Sequence, residues 1–267
     1  MAAKVDLYNT SYGNYELDVY RRVRLETYGH DLGQTSWVTT EESNEIPKLL
    51  ELTPESVALE IGCGSGRYAI HVAQQSGCRI TGVDVNPHGI GNANRLASEA
   101  GLASVRFEEC DVSAGLLFGD ATFDAVFAND VTCHIRGRAG VFADVFRVLK
   151  PGGHLLFSDA AVIGGIISDH EIATRSSIGY YEFSPPGENE RLLKKAGFTV
   201  SSVTDTSNSA AELSKRRWDS RARYRDELIA AEGEENFEGL QQFLSCVHKL
   251  ASEKRLLRFL YLARKGP

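Results

Sequence analysis

Glu60-Ile61-Gly62-Cys63-Gly64-Ser65-Gly66-Arg67 sets three glycines at every second position behind an acid. Alternate glycines let a chain turn sharply and let a ligand lie against the main chain. Tyr68, Ala69, Ile70, Val72 and Ala73 then predict a helix whose free N–H groups and positive dipole end face that ligand. A dinucleotide turn of the form G-x-G-x-x-G needs a third glycine to pack helix on strand. Arg67 stands at that place here, and Glu60 would repel a pyrophosphate but suits an amine or a cation. Further on, Asn129-Asp130-Val131-Thr132-Cys133-His134 brings a histidine, a group that titrates near neutrality, just behind an apolar run.

These groups need a frame, and the apolar pattern supplies one. Val57–Ile61 is short and β-branched, as a strand covered on both faces should be. Further strands are predicted at 78–83, ending at Asp84, at 105–108, followed by Asp111, at 123–128, running into Asn129 and Asp130, and at 154–159. Between them lie helices: one capped by Asn86 with Pro87 at its first position, and one carrying Val141, Phe142, Val145 and Phe146. Lys150-Pro151-Gly152-Gly153 reads as a turn before the fifth strand. Strand alternating with helix so regularly implies an α/β, doubly wound sheet with right-handed crossovers. Ligands of such sheets bind outside the carboxyl ends of the strands, where the strand order reverses. The acids and amides just named fall at those ends.

Both flanks depart from the alternation. Tyr12, Tyr15, Val19, Tyr20 and Val23 predict a helix over about residues 14–28, and Thr39 with Glu42 forms a capping box for another. Residues 1–56 are thus expected as a helical extension over the cleft, with 57–267 as the main domain. Ser168 and Glu171 make a second capping box, and lid segments are expected near 160–197 and 207–252, before last strands at 198–203 and 256–263. The run from Lys215 to Glu227 mixes acids into its basic residues at helical spacing and reads as a solvated face, with an anion-binding rim as the alternative.

The totals limit the choices. A chain of 267 residues with a formal charge of −7 offers no broad electrostatic footprint for nucleic acid. No apolar run approaches the ~20 residues that span a bilayer, and the first residues lack a signal-peptide core, so a cytoplasmic protein is expected. Cys63, Cys78, Cys110, Cys133 and Cys246 are odd in number and widely spaced, arguing against a disulfide framework or a zinc site.

The E-x-G-x-G-x-G turn, the acid closing the second strand, the acid after the third and Leu149-Lys150-Pro151-Gly152-Gly153 resemble, in order, the motifs of class I S-adenosylmethionine-dependent methyltransferases. The likeness covers about residues 40–205. Within that family, the Gly33–Trp37 approach and the lid before the last strand are similar to bacterial small-molecule enzymes of the sarcosine/dimethylglycine and phosphoethanolamine kinds. The resemblance implies a Rossmann-like seven-stranded sheet and S-adenosylmethionine as cofactor. It implies Asp84 on the ribose hydroxyls, Val85 on the adenine face, and Asp111 with the Val112 N–H on the adenine edge. Glu60, Gly62, Gly64, Gly66 and Asn129 would surround the methionine end, Arg67 its carboxylate, with Gln34, Ser36 and Trp37 closing over it.

Methyl transfer from a sulfonium is an in-line displacement, so catalysis is chiefly alignment, worth about 7–11 kcal/mol where geometry is good. A base is needed only for an acceptor that carries a proton. His134 is the candidate base, Asp130 its orienting partner or the seat of a cationic acceptor, and Tyr180 and Tyr181 candidate pocket walls. The expected reaction methylates nitrogen or oxygen of a small molecule, with no metal and with monomer or homodimer both open. A protein substrate, a non-catalytic cofactor-binding scaffold and a nicotinamide dehydrogenase are the alternatives. A DNA amino-methylating enzyme is disfavoured, because Asn129-Asp130-Val131-Thr132 lacks the paired prolines.

Overall fold

A computed structural model of the protein describes residues 5–33 and 35–267. Seven strands form one sheet: β1 (Val57–Ile61), β2 (Arg79–Asp84), β3 (Val105–Glu109), β4 (Phe123–Ala128), β5 (Leu149–Ile163), β6 (Phe198–Asp205) and β7 (Leu256–Lys265). Their order is β3-β2-β1-β4-β5-β7-β6, with β1 to β5 parallel and β7 antiparallel between β5 and β6. β1 pairs with β2 on one side and β4 on the other, so the strand order reverses beside it. Alternate side chains feed two cores: Leu59, Ile61, Val126 and Phe157 enter one, Ala58, Ile80, Phe127 and Leu156 the other. A strand buried on both faces has no room for polar residues, which is why β1 reads as an apolar run interrupted only by Glu60.

The helices flanking this sheet are α4 (Arg67–Ser76), α5 (Pro87–Glu99), α6 (Arg138–Val148) and α8 (Glu188–Ala196). Asn86 caps α5 through its side chain, which accepts from Gly89 N at 3.0 Å. One expected turn is absorbed into a strand. Phe123 pairs with Leu149 and Ala125 with His154, so Lys150–Gly153 bulges out between two pairings of β5 instead of preceding it. Lys150 Nζ holds the bulge by donating to Asp124 at 2.8 Å, and Gly152 takes φ 78°.

The remaining helices build a roof. They are α1 (Tyr8–Gly13), α2 (Asp18–Tyr28), α3 (Thr40–Leu49), α7 (Asp169–Arg175), α9 (Ser207–Arg223), α10 (Arg225–Glu232) and α11 (Glu234–Ser252). Both capping boxes form, on α3 and on α7. The helix expected over 14–28 runs from Asp18 to Tyr28, and Tyr12 belongs to the separate α1, which ends at Gly13 and sets Tyr12 over the glycine turn. α9 packs on α11 and α2 on α9, around Leu213, Leu240, Phe243 and Leu244. The basic run lies along α9 and the start of α10, and it is not wholly the solvated face expected: Arg217 and Arg221 are buried, Arg217 donating to Thr35 O, while the other charges are paired with carboxylates. Lys215 meets Asp219, Arg216 meets Glu212, Arg221 meets Glu232, Arg223 meets Glu26, and Arg225 meets Glu234 and Glu238. Among the described residues no helix is long and apolar enough to cross a membrane.

Candidate active site

A cavity of about 600 Å³ opens where β1 and β4 end, under α1, α7 and α11. Its first wall is the turn from β1 into α4. Gly62, Gly64 and Gly66 all take positive φ (71°, 51° and 75°). A Cβ on Gly62 would collide with Val131, so both backbone angle and packing demand glycine there. Asp84, closing β2, accepts from Gly64 N at 2.9 Å and from Asn86 N at 2.8 Å. Two main-chain donors thus fix its carboxylate at the cavity edge, while desolvation holds its pKa above the ordinary value. Val85 beside it is 60 % exposed, an apolar surface facing the opening.

Glu60 lies wholly buried behind this wall, and neither of its oxygens has a hydrogen-bond partner. Burial drives its carboxyl well above the usual range and the Asp84 charge adds to the rise, while the Ala69 N–H and the Asn129 amide oppose it from nearby. Asn129 Nδ2, on the cavity floor, is also without an acceptor. An open acid and an open amide beside a glycine cradle suit the cationic, amine-bearing end of S-adenosylmethionine, and Asp84 with Val85 suits a ribose and a flat ring. The residues present therefore fit that cofactor.

The end of β4 carries the next group. Asp130 has φ 56°, is 8 % exposed, and its N–H donates to Ser158 Oγ at 2.9 Å. Its carboxylate accepts from Trp37 N at 2.7 Å and from Arg258 Nε at 2.9 Å. Arg258, on β7 and 1 % exposed, also reaches both Glu42 oxygens (2.9 and 3.0 Å), Thr206 and Ser209. One buried guanidinium thereby joins α3, the β4 end and α9, and Asp130 holds the Trp37 loop over the cavity. Trp37 in turn stacks on Phe243.

His134 follows on a short 3₁₀ turn, Thr132–His134. Its Nδ1 lies 2.9 Å from Tyr180 O, which can only accept, so Nδ1 carries the proton. Nε2 is then the acceptor for the Tyr8 hydroxyl at 3.0 Å. Burial pushes the imidazole down to about 4, with the nearby Arg175 charge working the same way, and the ring is neutral at physiological pH. Tyr181 packs against it with ring centroids 4.2 Å apart.

Gly62, Asp84, Val85, Asn129, Asp130, His134, Ser36, Trp37 and Tyr181 thus share one cavity. Gly64 and Gly66 shape the turn from behind, Tyr12 covering the first and Phe107 the second. Arg67 points away, donating to Asp31 O at 2.9 Å. Asp111 is exposed and caps its own turn through Ser113, and the Val112 side chain belongs to the core. Tyr180 presents its carbonyl to His134 and its ring to Arg136. Gln34 lies outside the described residues. Tyr8, Arg175 and Arg258 belong to the site without a signal in the sequence. No local pattern marks them, because each finds its role through partners more than a hundred residues away or in the packed roof.

Comparison with known proteins agrees with this architecture. A family model described as a methyltransferase domain matches residues 59–157. The chain is 26 % identical over 211 residues to phosphoethanolamine N-methyltransferase 1 of Zea mays, covering 78 % of this chain but only 41 % of that protein. Phosphoethanolamine N-methyltransferase 2 of Haemonchus contortus, solved with phosphomonomethylethanolamine and S-adenosylhomocysteine, superposes with a TM-score of 0.80 at 21 % identity, over 96 % of this chain and 59 % of that one. A sarcosine dimethylglycine methyltransferase structure from Galdieria sulphuraria gives 0.75 at 18 % identity, over 84 % and 82 %. The fold is that of the class I methyltransferases.

Proposed function

We propose that this chain, whose residues 59–157 form a methyltransferase domain, transfers a methyl group from S-adenosylmethionine to a nitrogen or oxygen of a small molecule. The observation that carries the reading is the meeting of the glycine turn, the doubly anchored Asp84 and the exposed Val85 at one cavity, at the point of strand-order reversal. Bound there, the cofactor would supply an electrophilic methyl carbon on a cationic sulfur. Asp84 would accept the two ribose hydroxyls, Val85 would cover the ring, and Asp111 with the Val112 N–H would meet its polar edge. Gly62, Asn129 and Glu60 would surround the amine, with Ser36 and Trp37 overhead.

The acceptor would lie between Tyr8, His134 and Tyr181, in a cavity whose volume of about 600 Å³ suits a small molecule. If it carries an O–H or N–H, His134 Nε2 is the group that can take the proton, directly or through the Tyr8 hydroxyl. Asp130 serves this scheme by holding Trp37, its carboxylate being engaged by Arg258. Five free cysteines suit the reducing cytoplasm as the place of action.

Equilibrium binding tests the reading. S-adenosylhomocysteine should bind saturably and NAD should not. Tight NAD binding with none for S-adenosylhomocysteine would reverse it. A screen of amines, phenols and carboxylates with methyl-labelled donor then identifies the acceptor.

A further inference from the structure

A second, smaller cavity of about 20 Å³ lies behind the wall of the first, between α2 and α9. Arg24, Arg217 and Arg221 line it, none more than 9 % exposed, together with Tyr15, Tyr20 and Tyr28. A guanidinium stays charged in proteins, so three buried cations meet here. Two carboxylates answer them, and both are already engaged. Asp31 accepts from Arg24 Nε at 2.7 Å, from Arg24 Nη2 at 3.0 Å and from Gly33 N at 2.9 Å, and it also faces the charge of Arg67. Glu232 is paired with Arg221 and accepts from the Tyr20 hydroxyl at 2.5 Å.

Arg217 is the cation left over. Its acceptors are the Thr35 carbonyl, at 3.5 Å, and the neutral Tyr28 hydroxyl, and among the described residues no carboxylate reaches it. Arg221 stands one turn further along α9, where burial lowers its pKa and the Arg217 charge adds to the fall. The Arg221 Nε and the Tyr15 hydroxyl have no hydrogen-bond partner. A buried charge without a counter-charge is costly, and like charges one helical turn apart add to that cost. About 10–15 Å³ is room for one water, so this cavity takes one small occupant and no metabolite.

We propose that the cavity is a halide site, in which a chloride ion between Arg217 and Arg221 supplies the missing negative charge and accepts from the donors left open. A water would fill the same space and leave the charge uncompensated. The site reaches the larger cavity through shared residues. Tyr12 and Thr35 line both, with their hydroxyls 3.2 Å apart, and the Thr35 carbonyl is the one that Arg217 holds. An ion that fixes Arg217 therefore fixes part of the wall of the larger cavity. Resting on the methyltransferase reading, chloride should then tighten the binding of S-adenosylhomocysteine.

Thermal unfolding in mixtures of sodium chloride and sodium gluconate at one ionic strength tests the site, because screening is then constant. The wild-type midpoint should rise with the chloride fraction, as for any ligand of the folded state, and bromide should replace chloride. Arg217→Gln should lose the response and Arg217→Lys keep part of it. Crystals soaked in sodium bromide should show an anomalous peak between Arg217 and Arg221, which decides the matter should Arg217→Gln fail to fold. No gain in chloride over gluconate, the same gain in Arg217→Gln, or no bromide in the cavity overturns the proposal. S-adenosylhomocysteine titrated in the two salts should bind about fivefold more tightly in chloride, the lower end of coupling between sites. Equal affinity in both salts overturns the link to the larger cavity. Failure to bind in either salt instead strikes the cofactor reading, and the unfolding and bromide measurements still report on Arg217.

Discussion

In the proposed reading Asp84 and His134 bear the chemistry most directly, and their surroundings set what each can do. Asp84 receives main-chain donors on both oxygens yet keeps lone pairs toward the cavity. Asp84→Asn would turn one acceptor into a donor facing N–H groups and hydroxyls, so S-adenosylhomocysteine affinity should fall about tenfold or more, read by titration. His134 is held neutral by burial, with a pKa of about 4. For an acceptor that must lose a proton, the protein's contribution to the rate profile should stay flat from neutral pH down to about 5, inflecting near 4 instead of near 6.5. The same depression acts on folding. An unfolded histidine takes its proton near 6.5, the folded one only near 4, so stability rises with pH across that interval and is lost as pH falls through it. His134→Gln should flatten that part of the urea midpoint against pH.

At the scale of elements, the cleft depends on one arginine more than on any local motif. Arg258 ties β7 to α3, α9 and the end of β4, so its loss leaves Asp130 and Glu42 without their cation. Arg258→Met should cost about 3–5 kcal/mol in urea denaturation, the usual penalty for orphaning a buried partner. Adding Asp130→Asn should return part of it by removing the stranded charge. Strands, caps and the glycine turn could be read from the chain because each rests on neighbours: Asn86 on Gly89, Thr39 on Glu42, Ser168 on Glu171. The Tyr8–His134 and Arg258–Asp130 contacts span 126 and 128 residues, and no periodicity encodes such a choice of partner. The break that puts Tyr12 on α1 and Val19 on α2 was legible in Gly13-Asn14, but the spacing of Tyr12, Tyr15 and Val19 masked it. The bulge of Lys150–Gly153 read as a turn because its residues are turn formers, and only pairing with β4 carries it into the strand.

Across the whole molecule, the proposed reading divides the labour: the sheet would bind the donor and the roof would choose the acceptor. The half bounded by β1, β2 and β4 is the part that the family model covers, while Arg175, Tyr181 and Phe243 lie beyond residue 157. Substitutions in α7 and α11 are therefore the ones expected to change what is methylated without changing how the donor is held. The placing of β7 carries a further consequence. It follows the other six strands in the sequence yet inserts between β5 and β6, bringing Arg258 to Asp130 and Glu42 beside the cavity. During synthesis Asp130 stays without its cation until Arg258 has been made 128 residues later, so the contacts that hold the Trp37 loop over the cavity are completed late.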